Sequence, residues 1–346
     1  MGGLMKTSDL SKVSPSVDPR NTSVEEAKAL SLDDRMTYFC KVRANHPKLA
    51  MALKEVEQFV DPVSGGGLVL LVGPAGVGKS EIVKLLKEKV LAKNRSEMLD
   101  DPGFIPIVVM DAATSGDKAF SWKNFYLQIQ RLLGGQIQST IGGLRDGVER
   151  TLYWRRTQIL VIDEGVHLFR GASDKSKIGH IDSLKSLASM SGVIIILVGS
   201  YDLLAVLSMS GQIARRTALV HFPRYLKGPE SEDASFKLAM KRFVESMPID
   251  GVGRLLELSG QLHLCTHGCI GVLKKLLEQS LKRAMDSGGN WKNIHLLKSL
   301  PTAAQLDAMI QETAAGEELL AKNDFESGAW DLLAKLQNAL QDPKGV

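Results

Sequence analysis

Five short apolar runs punctuate the chain: Leu68 to Val72, Ile105 to Met110, Gln158 to Ile162, Val193 to Val198 and Leu219 to Phe222. They are continuous rather than alternating, the pattern of strands buried on both faces. Between them the apolar positions change to helical spacing. Ile82, Val83, Leu85, Leu86 and Val90 form one stripe in a helix expected from Lys79 to about Lys93, followed by a polar loop. Trp122, Phe125, Ile129 and Leu132 form a second stripe, and Leu144 to Tyr153, 181–190 and 202–210 continue the series. Gly134-Gly135 and Gly142-Gly143 bracket what reads as a flexible stretch. Strands alternating with helices predict an α/β fold with a parallel five-stranded sheet flanked by helices.

The two ends read differently. Ahead of the first strand, Val24 to Leu30 is a short helix, Ser31 caps a second with Asp33 and Asp34 in its first turn, and Leu49, Leu53, Val56, Phe59 and Val60 mark a third. Asp61-Pro62 and Gly65-Gly66-Gly67 close that region. Beyond residue 230 the strand pattern stops, and Phe236 to Ser246, Val252 to Ser259, Cys269 to Ala284 and Ala303 to Ile310 all read as helices. The expected organisation is a flexible arm at 1–23, an α/β domain with its helical approach at 24–228, a small α-helical lid at 229–312 and an acidic tail at 313–346.

The first strand leads into the chemistry. Gly73-Pro74-Ala75-Gly76-Val77-Gly78-Lys79-Ser80 fits G-x-x-x-x-G-K-[ST], a P-loop, with Glu81 following. Glycines let backbone N–H groups turn inward around phosphate oxygens, and the helix opening at Lys79 adds its positive end. Lys79 is expected to reach the β- and γ-phosphates of a nucleoside triphosphate, and the Ser80 hydroxyl to bind Mg²⁺. The third strand ends in Asp163-Glu164. Asp163 is placed to hold Mg²⁺ through water, and Glu164 to polarise the attacking water. Their plainer reading is a pair of helix-capping acids. Ser200, after the fourth strand, fits a polar group near the γ-phosphate, or equally a cap on the next helix. Arg215 and Arg216 precede the fifth strand; one fits an arginine finger acting on a neighbouring subunit, the other reading being an ordinary surface charge. His263, Cys265, His267 and Cys269 alternate, a poor arrangement for a tetrahedral metal site, and read as a turn ahead of a helix.

Composition narrows the class. The 346 residues are 44% hydrophobic and 24% charged, an ordinary globular balance. Residues 301–346 hold eight Asp/Glu against three Lys/Arg, so the rest of a chain with net charge +4 carries +9. A basic body permits a nucleic-acid partner. Cys40, Cys265 and Cys269 are too few for a disulfide framework, which favours a reduced intracellular compartment. No apolar run approaches the roughly 18 residues that would cross a bilayer, and the polar N-terminus has no signal-peptide core.

Several segments together carry a family likeness. Ser31-Leu-Asp-Asp-Arg35 through His46-Pro47, the P-loop, Ile159 to His167, Phe222-Pro223, Phe236 to Met247-Pro248-Ile249, and Thr266-His-Gly-Cys-Ile270-Gly271 leading into Leu273 to Ala284 resemble AAA+ ATPases that regulate DNA transposition. These are the TniB and TnsC group, with MuB and IstB more distant. The resemblance implies an AAA+ P-loop NTPase that hydrolyses ATP with Mg²⁺ and assembles as a homo-oligomeric ring or helical filament on duplex DNA. It implies partners in a transposase and a target-selecting protein of the TniQ type, no membrane, and a bacterial cytoplasm, nucleoid-associated when on DNA. By position it puts Arg35, Tyr38 and His46 near the adenine and Lys118, Lys123, Arg145 and Arg150 on DNA phosphates. Lys274 stands in for an arginine that AAA+ lids carry and that Gly268-Cys-Ile-Gly271 lacks. The nucleotide motifs alone also admit a helicase-loader or clamp-loader type of ATPase, or a signalling NTPase that gates partner binding without DNA.

Overall fold

The five apolar runs become five parallel strands: β1 (Gly67–Val72), β2 (Ile107–Asp111), β3 (Ile159–Asp163), β4 (Ile194–Gly199) and β5 (Thr217–His221), in the order β2-β3-β4-β1-β5. These come from a computed structural model, which describes residues 18–60, 67–112, 120–207 and 217–322. β4 is buried along its whole length and β3 up to its final aspartate, whereas the edge strand β5 is mostly half-buried. That gradient is why the central runs are unbroken Ile, Leu and Val. In register, Val72 lies opposite both Gly199 and His221, and Asp111 opposite Asp163. The carboxyl ends of all five strands therefore share one edge, where ligands of open parallel sheets bind.

The sheet belongs to a unit comprising Met51–Ala75, Lys79–Pro223 and the chain from Asp307. Its core joins Leu70, Val72, Leu160 and Ile162 to Ile129, Leu133, Leu144 and Leu152. Helix Trp122–Leu133 ends at Gly134 in the left-handed conformation (φ 65°), the usual helix stop. Of the stretch between the two glycine pairs, 135–140 is loop, and the helix expected from Leu144 begins earlier, at Ile141, and runs to Trp154, because the Thr140 hydroxyl accepts from Gly143 N at 3.1 Å and caps the helix through Gly142 and Gly143. The nearby glycines serve packing. Buried Gln130 fills the space a Cβ would need at Gly135 or Gly147 and accepts from Thr151 Oγ1 at 3.1 Å. The expected loop after Lys93 contains a further helix, Arg95–Asp100, which buries nothing and is held by Arg156 on Glu97 and on Asp101, the latter at 2.8 Å.

The second unit comprises the chain up to Ala50, Gly76–Gly78 and Arg224–Leu306. Helices Val24–Lys28 and Leu32–Lys41 share one core with Glu230–Glu245 and Ile270–Asp286, built on Phe39, Phe236, Met240, Phe243, Leu273, Leu277 and Leu281. Ser31 caps the second helix, as expected, and Ser23 caps the first. Of the alternating residues, His263 is buried against the Phe236 ring at 4.4 Å, and Cys265 closes helix Ser259–Cys265. His267 takes a left-handed turn, and Cys269 precedes helix Ile270–Asp286. Gly268 (φ 71°) is required there, since a Cβ would sit 1.9 Å from the Tyr225 carbonyl oxygen.

Candidate nucleotide site

The loop after β1 has the conformation that its glycines permit. Gly76 (φ 73°) and Gly78 (φ 118°) both occupy backbone regions that residues with a Cβ rarely adopt. Helix Lys79–Lys93 starts at once, so its first N–H groups, which have no partner within the helix, open toward the loop. The Lys79 ammonium donates to the carbonyls of Gly73 at 2.8 Å and Pro74 at 2.9 Å, which fixes it at the loop. The Gly76 carbonyl accepts from Val272 N at 3.0 Å, and a Cβ on Gly271 would meet Gly76 O at 2.4 Å. The first turn of helix Ile270–Asp286 thus meets Gly76 backbone to backbone. Gly271 and Val272 make this contact, and sequence reading gave it to neither.

Ser80 and Asp163 come together. The Ser80 hydroxyl donates to Asp163 Oδ2 at 2.9 Å, while Asp163 Oδ1 accepts from Glu164 N at 2.9 Å. A hydroxyl and a carboxylate at this separation, both oxygen donors, are the ligand chemistry of Mg²⁺. Glu164 is exposed and left-handed (φ 53°, ψ 36°), which ends β3 and starts the 3-10 turn Gly165–Leu168. Asp111 stands level with Asp163 on the adjoining strand and adds a second carboxylate to this edge. Its signal was present in the sequence: like β3, Ile107-Val-Val-Met-Asp111 ends an apolar run on an acid. Ser200 Oγ donates to Asp202 Oδ2 at 3.2 Å, inside the turn that opens helix Asp202–Leu207.

The adenine candidates lie in the helical unit. Arg35 Nε donates to the Leu30 carbonyl at 3.0 Å, and Tyr38 is buried in the core of that unit. His46 is buried, and two donors converge on its Nδ1: the Tyr225 hydroxyl at 3.0 Å and Leu49 N at 3.3 Å. The ring proton therefore sits on Nε2. Burial, with the Lys48 charge adding to it, holds the imidazolium pKa at about 4. An unfolded histidine binds its proton near 6.5, so between these values the unfolded chain holds more protons and stability falls as pH falls. On the order of 3 kcal/mol should be lost between roughly pH 6.5 and pH 4. Urea unfolding at pH 7 and pH 5 should show a steeper loss for the wild type than for His46→Gln; equal losses would refute the assignment. Lys274 Nζ donates to the Phe39 carbonyl, lies 3.5 Å from the Phe39 ring centre and faces Glu278 at 3.6 Å.

Of the DNA candidates, Lys123 and Arg150 are exposed, the latter with Nε on the Asp146 carbonyl at 3.3 Å. Arg145 is committed internally: it bonds Glu149 at 3.0 Å and Ser186 Oγ at 2.6 Å, tying helix Ile141–Trp154 to Asp174–Ser191. The Glu149 carboxylate holds the Arg145 guanidinium firmly in its charged form by raising its pKa. Lys118, Arg215 and Arg216 lie outside the described residues.

The family model of bacterial TniB proteins matches residues 44–227, more than half of the chain. The chain belongs to the TniB family. The match spans the sheet and its nucleotide motifs, and the helices after Glu230 lie beyond it. No curated protein sequence gives a significant match. Among solved structures, the Aeropyrum pernix ORC1 protein in complex with DNA is similar with a TM-score of 0.55 at 15% identity, over 75% of this chain and 66% of that one. The Aeropyrum pernix ORC2 protein, solved as ADPNP and ADP complexes, gives 0.53 at 14% identity, over 72% and 66%. The TniB-family chain thus spans just under two thirds of those proteins. Its fold is that of AAA+ P-loop NTPases: a parallel five-stranded sheet flanked by helices, followed by a small helical lid. Among the described residues, no helix is long and apolar enough to cross a membrane.

Proposed function

We propose that this TniB-family chain is an ATP-switched, DNA-binding regulator of transposition. In the ATP state it assembles as a ring or helical filament on target duplex DNA and connects a target-selecting protein of the TniQ type to a transposase. Hydrolysis dissolves the assembly. The observation that carries the reading is the Ser80–Asp163 contact at 2.9 Å beside a glycine-built loop, within the segment that matches TniB. The loop amides and Lys79 hold the β- and γ-phosphates, Ser80 and Asp163 hold Mg²⁺, and Glu164 takes the proton of the attacking water. When bound, Mg²⁺ neutralises charge on the β- and γ-phosphate oxygens. Arg215 or Arg216 completes the site from a neighbouring subunit. A DNA partner is supported by the similar fold of the ORC1 protein, solved in complex with DNA.

Electron microscopy with duplex DNA tests the proposal directly. Ordered assemblies should form with a non-hydrolysable ATP analogue and be absent with ADP; DNA-independent behaviour in both states would reject it. Contacts to phosphates should also make binding salt-dependent, each contributing a slope of about −0.9 in log K against log salt. Lys123→Ala and Arg150→Ala should each flatten that slope by about one in fluorescence anisotropy. Arg145→Ala should lower thermal stability instead, because Arg145 already ties two helices together.

A further inference from the structure

We propose that Tyr201 is a positioning residue that couples Ser200 to the C-terminal helix Ala303–Lys322. The inference rests on the proposed ATPase function and takes Ser200 in the first of the two roles its sequence position fits, a polar group near the γ-phosphate. Its own basis is a chain of contacts within the sheet unit. Val72, the last residue of β1 before the P-loop, is paired with Gly199 on one side and His221 on the other. The Tyr201 hydroxyl and His221 Nε2 are 3.0 Å apart, so one hydrogen bond links β5 to the turn that follows β4, on either side of β1 at the level where the loop begins. Tyr201 is 2% exposed, and its carbonyl accepts from Leu204 N at 2.8 Å, as that of Ser200 accepts from Leu203 N at 3.2 Å. Ser200 therefore stands on a turn whose position is set by the buried phenol next to it.

The other side of that phenol is the C-terminal helix. A Cβ on Gly316 would fall 2.0 Å from Tyr201 Cδ2, 2.1 Å from Cγ and 2.5 Å from Cβ. Those are the base of a buried side chain, not a flexible tip. Glycine is a poor helix former, so its place within a twenty-residue helix calls for a packing reason, and Tyr201 supplies it. Thr313 is buried and Leu320 packs on the sheet core, so positions 313, 316 and 320 form one docked face. The same contacts that seat the helix hold Tyr201, and Tyr201 holds the turn that carries Ser200. Coupling of this kind is reciprocal: nucleotide that orders Ser200 tightens the helix, and a change in how the helix is seated acts back on Ser200.

Hydrogen exchange of the full chain tests this, comparing Mg²⁺ with a non-hydrolysable ATP analogue against Mg²⁺ with ADP. Amides of 303–322 should exchange about five-fold more slowly with the analogue, the worth of one neutral hydrogen bond. Tyr201→Phe should lower kcat by about five-fold while KM stays within about two-fold. Gly316→Ala should erase the nucleotide-dependent difference in 303–322, although alanine favours helix. Equal exchange in both nucleotide states of the wild type, or an unaltered difference in Gly316→Ala, overturns the coupling. Ser200→Ala separates the two levels of inference. If it leaves hydrolysis untouched, the reading of Ser200 falls and takes the coupling with it. If it impairs hydrolysis while Tyr201→Phe and Gly316→Ala do not, only the coupling is lost.

Discussion

Lys79→Ala weakens ATP binding by on the order of a hundredfold and abolishes ATP-dependent assembly on DNA. The ammonium is the one side-chain cation that the P-loop motif supplies, and charge-assisted hydrogen bonds to phosphate are among the strongest a side chain makes. In the structure it is held by the Gly73 and Pro74 carbonyls, both of the same loop. Its removal leaves two backbone acceptors without that donor, so a stability loss of about 1–2 kcal/mol should accompany the functional loss. Nucleotide displacement titration measures the first effect and thermal unfolding the second. A variant that binds ATP normally, or assembles on DNA as the wild type does, would remove the nucleotide switch from the proposal.

Glu164→Gln should have the opposite phenotype: nucleotide and DNA still bind, hydrolysis falls by about 10²–10³-fold, and assemblies persist. Amide for carboxylate keeps the shape and removes the basicity. The fold tolerates the change because the backbone of Glu164, not its side chain, builds the turn: its N–H donates to Asp163 Oδ1 at 2.9 Å and its carbonyl accepts from His167 N at 3.0 Å. Single-turnover phosphate release and electron microscopy after ATP addition check the two halves. Hydrolysis at the wild-type rate would assign the base elsewhere, and Asp111, level with Asp163, is the next carboxylate to test.

How much of this was legible in sequence follows from where each signal is stored. The P-loop occupies consecutive positions, so spacing alone foretold a tight glycine turn, which Gly76 and Gly78 make at positive φ, and a helix that begins at Lys79. The meeting of Ser80 with Asp163 was legible too, because each ends or follows a recognisable apolar run. Features held by side chains far apart in the chain were not. Gly142-Gly143 reads as a break, yet Thr140 caps a helix through it. Gly135 reads as the edge of a flexible stretch, yet it makes room for Gln130, as does Gly147 within the helix. Nothing in 95–100 announces a helix, since charged contacts from Arg156 hold it rather than an apolar face. Tyr201, His221 and Gly316 come from three separate segments, and each alone is an ordinary residue.

The core that unites Phe39 with Phe236 and Leu273 has a consequence for how the molecule is made. A ribosome delivers the chain from its N-terminus, and segments pack as their partners appear. The helices that carry Ala27, Tyr38 and Phe39 emerge before the sheet, yet most of the surface that buries these side chains is encoded after the last strand. Through synthesis of the whole sheet, those apolar faces lack most of their native partners. The helical unit is therefore a high-contact-order structure despite being built of helices, and slow closure is its expected kinetic signature. The interval in which Tyr38 and Phe39 wait is the one in which a nascent chain is most open to chaperone capture or to pairing with another copy.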